Sequence, residues 1–561
     1  MASIRNELIE QCLLEEDDSD CDAVIPCEND CESGHLSIAS GHQSEVDAED
    51  INQLPTHLQS HPIRQTRSRQ SSNESTLSNR EHPRILSPTL SVSRNYFIGK
   101  DGTKWQKNPP RINVRTRNEN IIKETPGVKS HARNKKSHLE CFELFLSEDI
   151  LYSILIHTNN RIQTNLLLKY GTSETIDCTR SEITLIELKA LIGLLILAGV
   201  YRAGRENLED LWATDGTGIE IFRLTMTRNR FTFLLNNLRF DDMLTRTERA
   251  STDRLAPIRH IFECFVTNCQ DAYTPYEYLT LDEELVAFRG KCGFRQYIPS
   301  KPAKYGIKIY ALVDCKTFYT VNLEIYCGKQ PDNSPYTVSN KPYDVVDRIV
   351  RCVSGTSRNV TMDNFFTSLE STQHLLEYHK LTVVGTLRAN KTCLPAEFKT
   401  RREEKSSMFG FQKDITLVSY VPKPRKMVYL MSSLHHDQII DEQTGAQQKP
   451  EIITFYNATK SGVDVVDKLS RTYDVSRNSN RWPLTIFFAL VNHAGINSMI
   501  VYLSNNNIQM KKSNHRRKFL KKLGLSLLEE HQKNRKENER LPKELRKRLG
   551  EHLGEPSLAS P

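Results

Sequence analysis

Residues 278–288 (YLTLDEELVAF), 305–314 (YGIKIYALVD) and 318–326 (FYTVNLEIY) follow one another closely and share one character. Each is short and rich in Leu, Ile, Val and Tyr. In the second, Ile307, Ile309, Ala311 and Val313 alternate with polar or outward positions, the period of a β-strand. Downstream the period changes. In YDVVDRIVRCV (343–353), Val345, Val346, Ile349, Val350 and Val353 share one broad helical face. NVTMDNF (359–365) predicts a short strand, FFTSLESTQHLLEYH (365–379) a helix, and LTVVGTLR (381–388) another strand. The order β-β-β-α-β-α-β describes an α/β mixed sheet with helices on its faces.

That order is the order of a ribonuclease H-like fold, assigned here to residues 278–390. Upstream, residues 137–277 read as an α-helical domain: in MTRNRFTFLLNNLRF (226–240), Phe231, Leu234, Leu235 and Leu238 recur at helical spacing. Residues 1–136 carry few apolar clusters, and the sequence predicts disorder there. Residues 391–450 are charged, with two hairpin strands, DITLVSYVP (414–422) and KMVYLMSSL (426–434), around KPRK, and read as an insertion. PEIITFYNATKSGVDVVDKL (450–469) predicts a strand and then a helix, completing the core over 451–473. Residues 474–549 are helical and increasingly basic, and 550–561 are expected to be a disordered tail.

Over 561 residues the net charge is only +7, but it is unevenly spread. Residues 1–50 hold fifteen acids against Arg5 alone; residues 61–136 hold seventeen Lys or Arg against five acids. Residues 511–549 hold fifteen basic and five acidic residues, either a phosphate-binding segment or a solvated tail. The thirteen cysteines are scattered without a CxxC pair, which argues for reduced thiols in an intracellular protein. Cys21, Cys27 and Cys31 lie close together, but in acidic sequence that does not suggest zinc. The N-terminus lacks the features of a secretory signal. The apolar run ALIGLLILAGVY (190–201) falls short of the roughly twenty residues a membrane span needs, so a buried helix and no membrane partner are expected.

Acids stand where such a sheet would gather them. Asp282 lies in the first strand, Asp363 closes NVTMD, and Asp464 and Asp467 open the helix after the insertion. Each has an ordinary reading: Asp363 as a helix cap, Asp282 as a solvated strand acid, and the last two as first-turn charges favoured by the helix dipole. Together, four acids in a partly dry site would repel one another unless a multivalent cation compensated them. Carboxylate oxygens favour Mg²⁺ or Mn²⁺, and two such ions would suit phosphodiester cutting and joining. Residues 285–313 hold Arg289, Lys291, Arg295, Lys301, Lys304 and Lys308 and no acid, with Phe288, Phe294, Tyr297 and Tyr305 interleaved. That composition suits a DNA backbone, or a solvated hairpin.

From ALIGLLILAGVYR through LTLDEELVAFRGKCGFRQYIPSKPAKYGIKIY, VTMDNFFTS, VVGTLRANK, FYNATKSGVDVVDKL and SRNSNRWPLTIFFALVNHAGINS, roughly residues 138–510, the chain resembles the piggyBac family of DNA transposases. The resemblance implies cut-and-paste excision and integration of DNA at TTAA sites, with divalent metal and strand transfer. Its acidic set falls on Asp282, Asp363, Asp464 and Asp467 as catalytic metal ligands. It also implies DNA contacts at Arg388, Lys391 and Trp482, and dimerisation and DNA-binding roles for the helices of 137–277 and those after 474. The implied partners are double-stranded DNA, as transposon ends and target, and a second copy of the chain; no small-molecule substrate is implied. DNA as partner implies the nucleus, and KKSNHRRKFLKK and RNKK would serve as import signals. Family members commonly end in a cysteine-rich zinc domain, whereas no cysteine follows Cys393 here. A transposase-derived DNA- or chromatin-binding protein without productive transposition is the alternative, and a structure-selective nuclease a third.

Overall fold

The computed structural model describes residues 95–110, 121–170, 180–508 and 515–554. One sheet of eleven strands runs through it: β1 (Tyr96–Ile98), β2 (Lys104–Gln106), β3 (Tyr278–Ala287), β4 (Gln296–Tyr297), β5 (Tyr305–Asp314), β6 (Thr320–Ile325), β7 (Asn359–Met362), β8 (Thr382–Thr386), β9 (Ser407–Phe411), β10 (Thr416–Lys423) and β11 (Lys426–Ser432). Their spatial order is β1-β2-β9-β10-β11-β8-β7-β3-β5-β4, and β6 also pairs with β5. β3, β5 and β6 are antiparallel neighbours, as their closeness in sequence requires, while β7 and β8 join β3 in parallel after helical crossovers. β7 and β8 are buried at every position, their polar Asn359, Thr361, Thr382 and Thr386 included, as strands covered on both faces are.

Side-chain alternation assigns the two faces of the sheet. Thr280 pairs with Val313 and Asp282 with Ala311, so these four share a face, and the helix Gly462–Thr472 lies on it at Gly462. Asn322 and Glu324 stand opposite Leu312 and Tyr310, on the other face. There the helix Pro342–Val350 docks, with Arg348 paired to Glu324 and the Ile349 carbonyl accepting from Asn322.

Four expectations change. The segment 450–459 is not a strand: Pro450 precedes a helix, Glu451–Thr459, whose Ile452, Ile453 and Tyr456 are buried on one side. The run IITFY has β-formers but is too short for periodicity to decide, and the proline with an acid after it makes a good helix start. Residues 391–450 do not stand apart either, because β11 pairs antiparallel with β8 and extends the same sheet. β9 adds a third, unforeseen strand to the predicted hairpin. Disorder across 1–136 fails for its described parts. β1 and β2 form a hairpin that pairs onto β9, and Trp105 is fully buried there with its indole N–H on the Cys393 carbonyl at 2.9 Å. Residues 1–94, including Cys21, Cys27 and Cys31, and 111–120 lie outside the described residues. The 550–561 tail is helical at its start, since the helix Lys543–His552 runs through it and buries Gly550.

The basic C-terminal block is also packed rather than solvated. The helix His515–Lys536 buries Phe519, Leu520, Leu523, Leu527 and Leu528. It lies so close to the helix Leu185–Val200 that a Cβ on Gly193 would come 2.9 Å from the Gly524 carbonyl. The 185–200 helix is buried from Ala190 to Val200. The helix Trp482–Asn505 is long and apolar enough to cross a membrane, yet 94% of its apolar window is buried in protein, as a core helix would be.

Candidate active site

The parallel register of β3 with β7 sets Leu281 opposite Met362, so the next residues, Asp282 and Asp363, stand side by side where β7 ends. Ends of neighbouring parallel strands are where α/β sheets gather ligand groups. Asp363 does not cap a helix, since the next one, Leu369–Glu377, is capped by Ser368; its Oδ1 instead closes a local turn by accepting from the Phe365 N–H at 2.8 Å. The two acids remain half-buried.

Threonines bring the third element in. Thr280 of β3 donates to the Thr459 carbonyl at 2.6 Å, and Thr361 of β7 meets the Thr459 hydroxyl at 2.7 Å. Both strands are thereby tied to the end of the 451–459 helix, and the chain turns at once into the 462–472 helix. A Cβ at Gly462 would lie 2.5 Å from the Thr280 hydroxyl, so only glycine lets this helix start against the sheet. Asp464, in the first turn of that helix, is 61% exposed at its side chain.

The electrostatics follow. Burial, with Glu283, Asp363 and Asp464 nearby, raises the Asp282 carboxyl well above the usual range, against Lys301. Burial and Glu283 push Asp363 up to about 6, against backbone N–H groups and Arg388. Lys301, itself largely enclosed, is the counter-charge: its ammonium reaches Asp464 at 3.2 Å, and Asp282 and Asp464 together hold it protonated.

Asp467 shares Lys301 and Asp464 with this group but has partners of its own. It is buried, bonded to Arg471 at 2.8 Å, and pushed up to about 6 by burial and then by Glu284, against Arg471. Glu284, two residues beyond Asp282 on the same face, is bonded to His493 at 2.9 Å, and Thr320 meets the other ring nitrogen at 3.1 Å. Sequence reasoning passed over this buried pair, because His493 lies 209 positions away from Glu284.

The predicted basic residues divide. Arg289, Lys291, Arg295 and Lys304 are exposed. Lys308 turns inward over Tyr310, Tyr326 and Phe365, at 4.8, 4.8 and 5.2 Å from the ring centres. Arg388 donates to Asn364, the residue after Asp363, at 3.0 Å, and Lys391 is half-buried nearby in sequence. Trp482 packs edge-on against Phe294, ring centres 5.0 Å apart, so the NRWP turn and the loop after Asp282 form one surface. A cavity of about 390 Å³ opens there, lined by Arg239, Arg246, Arg481 and Trp482 among others. Burial and mutual repulsion lower Arg239 to about 9 and Arg481 to about 10. Sequence reasoning missed these arginines, which are scattered along the chain and met only through folding.

A structural comparison decides the family. The chain matches the cryo-EM structure of a piggyBac transposase synaptic complex with hairpin DNA at a TM-score of 0.71, with 36% identity over 78% of this chain and 90% of that one. The chain belongs to the piggyBac transposase family. A family model described as Transposase IS4, of the DDE transposases, matches residues 137–499. Among human proteins, PiggyBac transposable element-derived protein 3 is 23% identical over 377 residues, 63% of this chain and 59% of its own length. PiggyBac transposable element-derived protein 2 is 22% identical over 390 residues, 66% of this chain and 62% of its own length. The chain thus spans about three fifths of these curated relatives.

DDE transposases imply a divalent metal, and the donor set fits one. It consists of carboxylate oxygens whose crowding raises Asp282 and Asp363, the condition a hard cation relieves. Among the described residues, however, the four acids do not form a group with every donor atom within 4.8 Å of the others.

Proposed function

We propose that this piggyBac-family chain is a metal-dependent DNA transposase, cutting and rejoining DNA at TTAA sites through Asp282, Asp363 and Asp464, with Asp467 as an accessory acid. The single observation that carries the reading is the convergence of β3, β7 and the 462–472 helix on crowded carboxylates that share one lysine. The central strand order β6-β5-β3-β7-β8 supports a ribonuclease H-like core. Mg²⁺ or Mn²⁺ held by these acids would activate the attacking oxygen and stabilise the leaving one. The chain's own residues do the rest. Among the described residues neither Asp282 nor Asp363 makes a direct ion pair, Lys301 and Arg388 acting on them through space, and so both stay available to a ligand. Arg388 stands beside them through Asn364, placed to meet a phosphate. Arg289, Lys291, Arg295 and Lys304 line the exposed loop with Tyr297 and Tyr305, which suits a DNA backbone. Such work implies a nuclear protein and a dimer that holds two ends.

Precise excision from a donor plasmid carrying matched ends tests the reading: excision that needs Mg²⁺ and disappears in Asp363→Ala supports it. Full activity in Asp363→Ala overturns the site. A second reading draws on the names of the human relatives, which are transposable element-derived proteins. On it the chain is a DNA- or chromatin-binding protein without productive transposition, expected to bind DNA in a salt-sensitive way and to excise nothing.

A further inference from the structure

On the sheet face away from Asp282, three side chains converge. Asp347 comes from the 342–350 helix, His374 from the last turn of the helix Leu369–Glu377, and His379 from the segment just beyond it. Asp347 Oδ1 lies 2.8 Å from His374 Nε2 and 3.0 Å from His379 Nε2. The two imidazole planes stand at 83°, so they reach that oxygen from different directions. All three donor atoms lie within 4.8 Å of one another, and no other such group occurs among the described residues.

The surroundings brace each donor. His379 is buried, and its Nδ1 meets the Ser354 hydroxyl at 3.0 Å. Serine can donate to that nitrogen or accept from it, so either tautomer of His379 is satisfied, including the one whose Nε2 offers a lone pair. His374 is stacked on Tyr378 with ring planes 9° apart. Asp347 Oδ2 is held by Arg351 at 2.6 Å, which leaves Oδ1 to the imidazoles. Burial alone would raise the Asp347 carboxyl, but bonds from His374, His379 and Arg351 outweigh it and keep it ionised.

We infer that Asp347, His374 and His379 form a zinc site, with solvent as the fourth ligand, separate from the acids around Asp282. Two imidazoles and a carboxylate are a borderline nitrogen and oxygen set, which favours Zn²⁺ over the hard Mg²⁺. Zinc bonds of about 2.0–2.1 Å at tetrahedral angles space the donors by roughly 3.3 Å. The present separations of 2.8 and 3.0 Å need to open by only a few tenths of an ångström. His374 and Asp347 keep 24% and 18% of their side chains exposed, enough for entry and for a bound water. The site joins the segments that enter β7 and β8, since the Gly355 N–H also bonds the His379 carbonyl at 2.6 Å. Zinc there would pin the start of the strand whose far end, about 13 Å on at strand rise, carries Asp363.

The test uses the full chain without a polyhistidine tag, loaded with Zn²⁺, desalted and assayed for metal, in an Asp282→Asn, Asp363→Asn background to remove the oxygen site. One retained zinc per chain is expected. Replacement by Co²⁺ should give the intense visible absorption of a four-coordinate ion, lost on adding Zn²⁺. His374→Gln and Asp347→Asn should each weaken binding at least tenfold. A folded chain that retains no zinc, or a His374→Gln chain that retains it undiminished, overturns the site. A readout on the unmutated chain covers variants that fail to fold: Zn²⁺ should block diethyl pyrocarbonate labelling of His374, and labelling unchanged by Zn²⁺ overturns the inference.

Discussion

Asp282 and Asp347 sit on opposite faces of one sheet and have opposite neighbours. Asp282 has the charges of Glu283, Asp363 and Asp464 around it and a single lysine, Lys301, against them; Asp347 is met by two imidazoles and a guanidinium. Burial pushes both carboxyls the same way, so it is their partners that separate them. A carboxylate among its own kind is raised and incomplete without a hard cation. A carboxylate among nitrogen donors is lowered and already satisfied, and a borderline metal would replace protons rather than relieve repulsion.

The largest effect should come from removing an acid of the crowded face. Asp282→Ala or Asp363→Ala is expected to cut DNA strand cleavage on the order of a thousandfold, the loss of several kcal/mol of transition-state stabilisation, with native circular dichroism retained. His374→Gln should leave that rate within about twofold; an equal loss in both would erase the contrast between the faces.

Next is the element that completes the crowded face. Gly462→Ala places a methyl 2.5 Å from the Thr280 hydroxyl and should cost about 1–3 kcal/mol in denaturant unfolding, as an overpacked contact does. Cleavage should fall with it, because Asp464 moves with the helix.

Asp314 supplies a carboxylate with neither kind of partner. It is fully buried, and burial raises it to about 6 although the N–H groups of Tyr276, Lys316 and Thr317 bond it. Its folded value exceeds the unfolded one, so it binds its proton more tightly in the folded chain. Its contribution to stability should therefore grow as pH falls from about 6 to about 4, by at most about 1–3 kcal/mol. Urea unfolding across that range should show the rise, and Asp314→Asn should flatten it. A carboxyl that titrates near 4 there would mean that backbone bonds outweigh burial.

The smallest effect belongs to the exposed loop. Lys291→Ala should weaken binding to any duplex a few-fold and lower the salt slope by about 1, without changing sequence preference. A change in preference would mean that the loop reads bases.

Much of this was legible in the chain. The strands of 278–388 and the helices between them followed from period and spacing, because alternation and helical faces are local properties. The segment 450–459 was misread because a short apolar run fits strand and helix alike, and packing of Ile452, Ile453 and Tyr456 decides it. β1 and β2 were missed because their partner, β9, lies about three hundred positions downstream.

The same division holds for the sites. The sequence by itself determined that acids close strands and open a helix in the right order, since that depends on residue type and local conformation. Only the tertiary structure decided that Asp282 and Asp363 stand in register, that Lys301 turns inward to Asp464 and Asp282, and that Asp467 pairs with Arg471. It alone brought Asp347 to His374 and His379, and Arg239 to Arg481. Charge interactions fall off with distance in space, and distance in space is what folding sets.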